Sequence, residues 1–225
     1  MSKVEIHTLA WPNTEPKIVS GHTDVTTKLD LRVAYTIHQA DHGLWMDAVM
    51  SQSRADVVGF LDVDCIPTRR ETVDKAIAWA VENKSFVGIA QVSNHIPPAS
   101  HIYAAPAFFF IWRETWEQLG KPTFAATPHS DVAENVSYAA ELARIPYKTL
   151  FPVAYTEAPA EGAWRLHTYG HYGIGTYFES GVYHLYQSRM QKNIDLFCHA
   201  CVTVMDSDFH VLPQDLGANI DARNR

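Results

Sequence analysis

The chain has 225 residues, 47% of them apolar and 19% charged, enough to bury about 70% of the surface its unfolded form exposes, which excludes general disorder. Eighteen Lys and Arg stand against 25 Asp and Glu, a net charge of −7, and that argues against partners held by phosphate neutralisation, nucleic acid first, and against anionic lipid. Three cysteines form no disulfide framework and fit a reducing, cytoplasmic setting.

Residues 1–12 carry one lysine and no apolar core and are not expected to be a signal peptide. No repeat or linker-like composition appears, so a single domain spanning 1–225 is expected. Apolar runs of strand length recur at 31–37, Val57–Leu61, Phe86–Val92, 107–112, 149–153 and 182–185. The run Asp56-Val-Val-Gly-Phe-Leu61 is apolar without alternation, as a central strand covered on both faces requires. Between the runs lie helical patterns. Thr68 and Glu71 form a capping box ahead of a helix reaching Asn83, with Val73, Ile77, Ala80 and Val81 on one face. Residues 114–119 form a short helix stopped by Gly120, with Pro122 beyond. Ser130 or Asp131 opens a third, burying Val132, Val136, Ala139, Ala140 and Ala143. Residues 85–112 contain no Asp, Glu, Lys or Arg and are long enough to span a bilayer. Asn94, His95, His101, Pro97, Pro98 and Pro106 interrupt them, so two buried strands joined by a loop are expected, in a soluble protein with no integral membrane segment. Alternating strands and helices predict an α/β domain with a mostly parallel sheet. Ligands of such sheets sit beyond the carboxyl ends of the strands.

The segment Gly59-Phe-Leu-Asp-Val-Asp-Cys-Ile-Pro67 brings chemistry to that edge. In extended backbone Asp62 and Asp64 project to one side and Val63 to the other. Two ionised carboxylates so close need a cation or hydrogen-bond donors, and a hard divalent ion bridging them to phosphates supplies one. A solvated turn with two acidic caps is the plainer alternative.

This segment resembles the metal-binding Asp-x-Asp signature of GT-A-fold glycosyltransferases, and the resemblance extends over most of the chain. Asp41-His-Gly-Leu-Trp-Met-Asp47 stands where such enzymes close a helix on the sugar nucleotide. Ala105-Pro-Ala-Phe-Phe-Phe-Ile-Trp-Arg113 is similar to their acceptor-side strand. Ser130-Asp131 stands where inverting members carry a general base, although many have an acidic residue in place of Ser130. Val182-Tyr-His-Leu-Tyr-Gln-Ser-Arg189 is similar to the segment whose His completes the metal shell.

The resemblance implies a Rossmann-like α/β/α sandwich, with a nucleotide-binding half at about 1–92 and an acceptor-binding half at about 93–225. It implies a hexosyl- or deoxyhexosyl-transferase of the inverting kind, using a nucleotide-sugar donor and a glycan or other hydroxyl acceptor. Mn²⁺ or Mg²⁺ would be held by Asp64 and His184, with Asp62 reaching the ribose or the ion's water shell. Asp131 would take the acceptor proton, or equally serve with Glu134 as a helix-start capping box. Arg189 could pair with the diphosphate. Gly170, Gly173, Gly175 and Gly181 suggest a loop suited to a lid. Thr8, His38, Asp41 and Asp47 are candidate nucleotide contacts, and Asn94 and His95 candidate acceptor contacts; all six could equally be turn, cap or loop residues. A lone histidine between Tyr183 and Leu185 could also be a hydrogen-bonded core residue.

Cys198-His-Ala-Cys201 has zinc-pair spacing but no second cysteine pair. A helix over 195–204 would make both small core residues. His167 and His171 are four apart, but Gly170 and Gly173 break a helix there. A sugar-phosphate nucleotidyltransferase needs a glycine-rich N-terminal loop, and residues 1–20 contain no glycine. A catalytically silent nucleotide- or carbohydrate-binding subunit would share the fold. The short chain leaves room for a partner subunit or an oligomer.

Overall fold

A computed structural model describes residues 2–96 and 100–206. In chain order the elements are β1 (Val4–Ala10), α1 (Pro16–Lys28), β2 (Val33–Ile37), α2 (His42–Gln52), β3 (Val57–Leu61), β4 (Cys65–Pro67), α3 (Arg70–Asn83), β5 (Phe86–Val92) and β6 (Ile102–Trp112). They continue through α4 (Arg113–Gln118), α5 (Glu134–Ala143), β7 (Lys148–Leu150), β8 (Pro152–Glu157), β9 (Trp164–Arg165), β10 (His171–Tyr172), β11 (Ile174–Phe178), β12 (Val182–His184) and α6 (Gln191–Met205).

The main sheet runs β2-β1-β3-β6-β5-β7. β1 is parallel to β2 and β3, and β5 is parallel to β7, while β6 pairs antiparallel with both β3 and β5. Five strands therefore run one way and one the other, the mostly parallel sheet that the alternation of elements predicts. Both faces are covered. Val57 and Leu61 of β3, with Phe108 and Phe110 of β6, pack on Val73, Ala76 and Ala80 of α3. Val58, Phe60, Phe109 and Ile111 face Met46 and Met50 of α2, Trp116 of α4, and Val136 and Ala140 of α5. This is an α/β sandwich, and it explains why β3 shows no polar alternation. At Gly59 any β-carbon would stand 2.5 Å from the Phe110 ring, so the central strand needs glycine there.

A second sheet, β4-β12-β11-β8, is antiparallel throughout. It packs through Ile66, Ile174 and Tyr183 against Ile18 and Val25 of α1 and Ile194 and Phe197 of α6. The charge-free stretch forms β5 and β6, two buried antiparallel strands. No helix among the described residues is long and apolar enough to cross a membrane.

Several expectations need correction. Thr68 does not cap α3: its hydroxyl donates to Gly181 O (3.0 Å), and the N-cap residue is Arg69, with no side-chain cap. The apolar run at 149–153 divides at Phe151 between β7 in the main sheet and β8 in the second. α5 starts at Glu134 rather than 130 or 131, after Ala133 in the left-handed region, and Ala143 is exposed. α6 begins four residues before 195. Of the glycines meant for a lid, Gly173, Gly175 and Gly181 lie in or beside strands of the second sheet, and Gly170 precedes β10 in the two-stranded β9–β10 ribbon. β11 is buried along its whole length, and Gly175 and Gly181 serve positive φ angles of 64° and 84°.

Candidate active site

β3 ends at Leu61, so Asp62 and Asp64 do not leave as an extension of the strand. They stand on a tight turn closed by Cys65 N donating to Asp62 O (2.9 Å). Strand alternation is therefore not what aligns them. The turn is pinned from the second sheet: β12 pairs with β4 with His184 opposite Cys65, and Leu185 N donates to Asp64 O (2.9 Å). That register carries the His184 imidazole to the turn. Its Nε2 lies 3.5 Å from Asp64 Oδ1. One ligand atom from each of Asp62, Asp64 and His184 falls within 4.8 Å of the others.

The cluster has the donor chemistry and size for a divalent ion. Ligands about 2.1 Å from an ion lie within about 4.2 Å of each other, so small side-chain adjustments close the shell. Two carboxylates with one imidazole suit Mn²⁺ or Mg²⁺ better than zinc, which favours more nitrogen and sulfur. His184 is buried, and its Nδ1 has no hydrogen-bond partner among the described residues.

One neighbour escaped the sequence reading. His42, the first residue of α2, places Nε2 3.2 Å from Asp62 Oδ1. Burial disfavours its charged form, but Asp62, with Asp64 and Asp41 behind it, outweighs that and raises its pKa above the ordinary 6.5. Burial likewise acts against ionised Asp62, and His42 with His184 and His22 prevails, holding its carboxyl below the usual range. His22 of α1, fully buried, bonds Tyr35 Oη through Nδ1 (2.6 Å); burial drives its pKa down to about 4, so it is neutral. The signal for His42 was its place after the Asp41 cap, but nothing in the sequence says that α2 aims its first turn at the Asp62 turn. Gly43 lets the first turn of α2 pack on the segment before α5: a β-carbon there would lie 2.3 Å from Ala125 Cα.

Asp62, Asp64 and His42 border a cleft of about 470 Å³. Its other wall comes from the β1–α1 connection, including Trp11, Asn13 and Thr14, and from Arg189, whose guanidinium sits 4.3 Å over the Trp11 ring. Arg189 thus shares a cleft with the two aspartates, 125 positions beyond Asp64 in the chain. The remaining candidate nucleotide contacts lie elsewhere. Thr8 is fully buried inside β1 and does not line the cleft, because the strand turns its Leu9 neighbour there instead. His38 is exposed, continuing the β1–β2 ladder through its backbone to Ala10 O. Asp41 is the α2 cap, its Oδ1 accepting from Leu44 N (2.9 Å). Asp47 accepts from Thr123 Oγ1 (2.5 Å) and Phe124 N (2.9 Å), tethering the segment before α5.

Asp131 is half-buried and does not line that cleft. Its Oδ2 accepts from Tyr103 Oη (3.2 Å) and its Oδ1 from Val132 N (2.8 Å). The capping box is only half formed: Glu134 Oε2 accepts from Asp131 N (2.8 Å), but no Asp131 side-chain oxygen caps α5. A tyrosine wall joins the two regions. Tyr186 packs on His184 (ring centroids 4.1 Å apart) and on Tyr172 (5.3 Å). Asn94, exposed at the end of this wall, donates to Tyr172 Oη (2.8 Å), and His95 is exposed beside it. Cys201 is buried against Gly21 of α1 and Cys198 is half-buried, the small packing residues expected of α6. His167 lies in a single 3₁₀ turn, His167–Tyr169, and His171 in β10, so they share no helix.

Fold and site together define a class: an α/β sheet protein with an acidic turn and an imidazole gathered where its parallel strands end. No protein-family model matches the chain, and no curated protein matches it. Among solved structures it is similar to the mannosyltransferase PcManGT from Pyrobaculum calidifontis in complex with GDP-Man and Mn²⁺, at 14% identity and TM-score 0.48, over 66% of this chain and 54% of that one. It is similar to glucosyl-3-phosphoglycerate synthase from Mycobacterium tuberculosis, at 13% identity and TM-score 0.48, over 71% and 74%. A CMP:2-keto-3-deoxy-manno-octonic acid synthetase complexed with CTP matches at 11% identity and TM-score 0.42, over 67% and 90%. The chain thus spans about half the length of the mannosyltransferase.

Proposed function

We propose that the chain is a metal-dependent glycosyltransferase of the GT-A kind, transferring a sugar from a nucleoside-diphosphate donor to a hydroxyl acceptor with inversion. The observation that carries this reading is the meeting of Asp62, Asp64 and His184. Residues 120 positions apart place their ligand atoms within 4.8 Å, and the two aspartates among them border a cleft that also holds Arg189. A bound Mn²⁺ or Mg²⁺ supplies positive charge to a departing nucleoside diphosphate.

The chain's own groups then divide the work. Asp64 and His184 would hold the ion, and Asp62, bonded to His42, would reach the ribose or the ion's water shell. Arg189 offers its planar fork to the diphosphate, with Trp11 keeping the guanidinium in place. Asp131, with one oxygen fixed by Tyr103 and the other by Val132 N, accepts the proton of the attacking hydroxyl. Residues 1–92 supply most of the donor side and 93–225 the acceptor side. The β1–α1 connection, Trp11 to Glu15, has no glycine to cradle a triphosphate, which supports transfer over nucleotidyl chemistry.

The test is release of nucleoside diphosphate from a panel of sugar nucleotides with Mn²⁺. The parent protein turns over one of them and Asp64→Ala does not. A parent protein with no turnover on any donor, binding sugar nucleotide as well as Asp64→Ala does, would make it a silent binding subunit instead.

A further inference from the structure

A second cleft, of about 580 Å³, opens beside Asn94 at the far end of the tyrosine wall, lined among others by Trp164, Arg165, His167 and Thr168. We propose that it takes a sugar or polyol bearing an anionic group, phosphate or carboxylate, and that this is the acceptor; the acceptor role rests on the transferase reading above.

Trp164 is the platform. The half-buried indole is held by three contacts: Nε1 donates to Glu161 Oε1 (3.2 Å), and the ring packs on Tyr172 (5.4 Å) and Tyr186 (5.1 Å). An aromatic surface fixed at its edges while lining an open cleft suits the apolar C–H face of a sugar ring, and little side-chain entropy is left to lose on binding. Tyr186 also packs on His184. A ring seated on Trp164 therefore lies two aromatic contacts, through Tyr186 and His184, from the cation cluster.

The anionic group follows from Arg165. In the β9–β10 ribbon Arg165 stands directly opposite His171, and residues so paired project on the same side. Both are exposed, and among the described residues neither has an ion-pair partner. Arg165 lines the cleft together with Glu161, whose carboxylate is turned to the Trp164 indole, while His171 stands outside the lining; in a chain of net charge −7 this unpaired planar guanidinium matches the two oxygens of a phosphate or carboxylate. A neutral glycan would use Trp164 and leave Arg165 idle.

The experiment titrates the full chain with glucose, glucuronate and glucose 6-phosphate, following the Trp164 indole N–H resonance, assigned with Trp164→Phe. An anionic probe should move that resonance at concentrations at least tenfold lower than glucose, and Arg165→Gln should erase the advantage. The two anionic arms tell carboxylate from phosphate. The inference is overturned if the resonance stays still for all three probes, or if glucose binds as tightly as its anionic analogues. Asp64→Ala is expected to keep this binding. Intact binding in a protein that turns over no donor would refute the transferase reading and the acceptor role, and leave the anionic-sugar site standing.

Discussion

Glu134→Gln should destabilise the protein by about 3 kcal/mol near pH 6, and the structure shows where that figure comes from. The Glu134 side chain is only 3% exposed, yet its carboxylate gathers three donors: Ser93 Oγ (2.6 Å), Asp131 N (2.8 Å) and His101 Nδ1 (2.8 Å). A charge-assisted bond contributes roughly 1 kcal/mol more than a neutral one, so removing the charge from all three costs about 3 kcal/mol. For a chain of this size that lowers Tm by about 6–12 °C. The sign with pH is fixed by two shifts. Burial opposes ionised Glu134, but the bonds from His101, Ser93 and the Asp131 backbone overcome it, holding its pKa below the ordinary 4.5. Its contribution is therefore present above 4.5 and lost as pH falls through the lower, folded-state value. Burial also opposes charged His101, but Glu134 and Glu141 raise its pKa above 6.5. Its contribution is complete below 6.5 and lost as pH rises through that raised value. Tyr138, stacked 3.9 Å from the imidazole, and Tyr103 are the other groups facing it. Thermal unfolding of parent and variant at pH 3, 6 and 9 should therefore show the widest gap at pH 6. A gap as large at pH 3 as at pH 6, or one of under about 2 °C at pH 6, would refute the reasoning.

Gly43→Ala pushes a methyl onto the Ala125 backbone; it should cost about 1–3 kcal/mol in urea unfolding, and full stability would contradict that contact. Asp47→Ala removes the acceptor of Phe124 N and Thr123 Oγ1; hydrogen exchange at Phe124 should speed up at least tenfold, and unchanged exchange would show the tether to be idle. Ellman's reagent should find one thiol in the native protein, Cys198. Cys65 and Cys201 are buried, with burial raising the Cys201 thiol to about 12 and Cys65 well above its usual 9.0, so they should react only on unfolding.

The centre of the main sheet was legible in the sequence because strands covered on both faces are apolar, as β3 and β6 are throughout and β5 is but for Gln91. β1 and α1 were not read as elements. Val4–Ala10 mixes Glu5, His7 and Thr8 among its apolar residues, and α1 carries polar residues over most of its length, with its buried face reduced to Ile18, His22, Val25 and Thr26. Of the second sheet, the runs at 182–185 and 149–153 showed β12 and the start of β8, while β11, set among glycines, read as a loop until its pairing with β12 and β8 is known. In the site, the resemblance suggested Asp62, Asp64 and His184, and the structure brings them together. The reason they meet, the β12–β4 register, is a long-range pairing that no local pattern encodes. His42 depends on the same kind of information, the direction of a helix relative to a turn. Thr68, by contrast, matched a local motif and was claimed by a tertiary partner, Gly181.

The most direct test is a Mn²⁺ titration of the full chain followed by the electron paramagnetic resonance of the free ion. The parent protein should bind a single ion, more tightly when a nucleoside diphosphate is added, and Asp64→Ala and His184→Ala should each weaken binding at least tenfold. Equal Mn²⁺ affinity in the parent and both variants, or no binding by the parent even with nucleoside diphosphate present, would contradict the account.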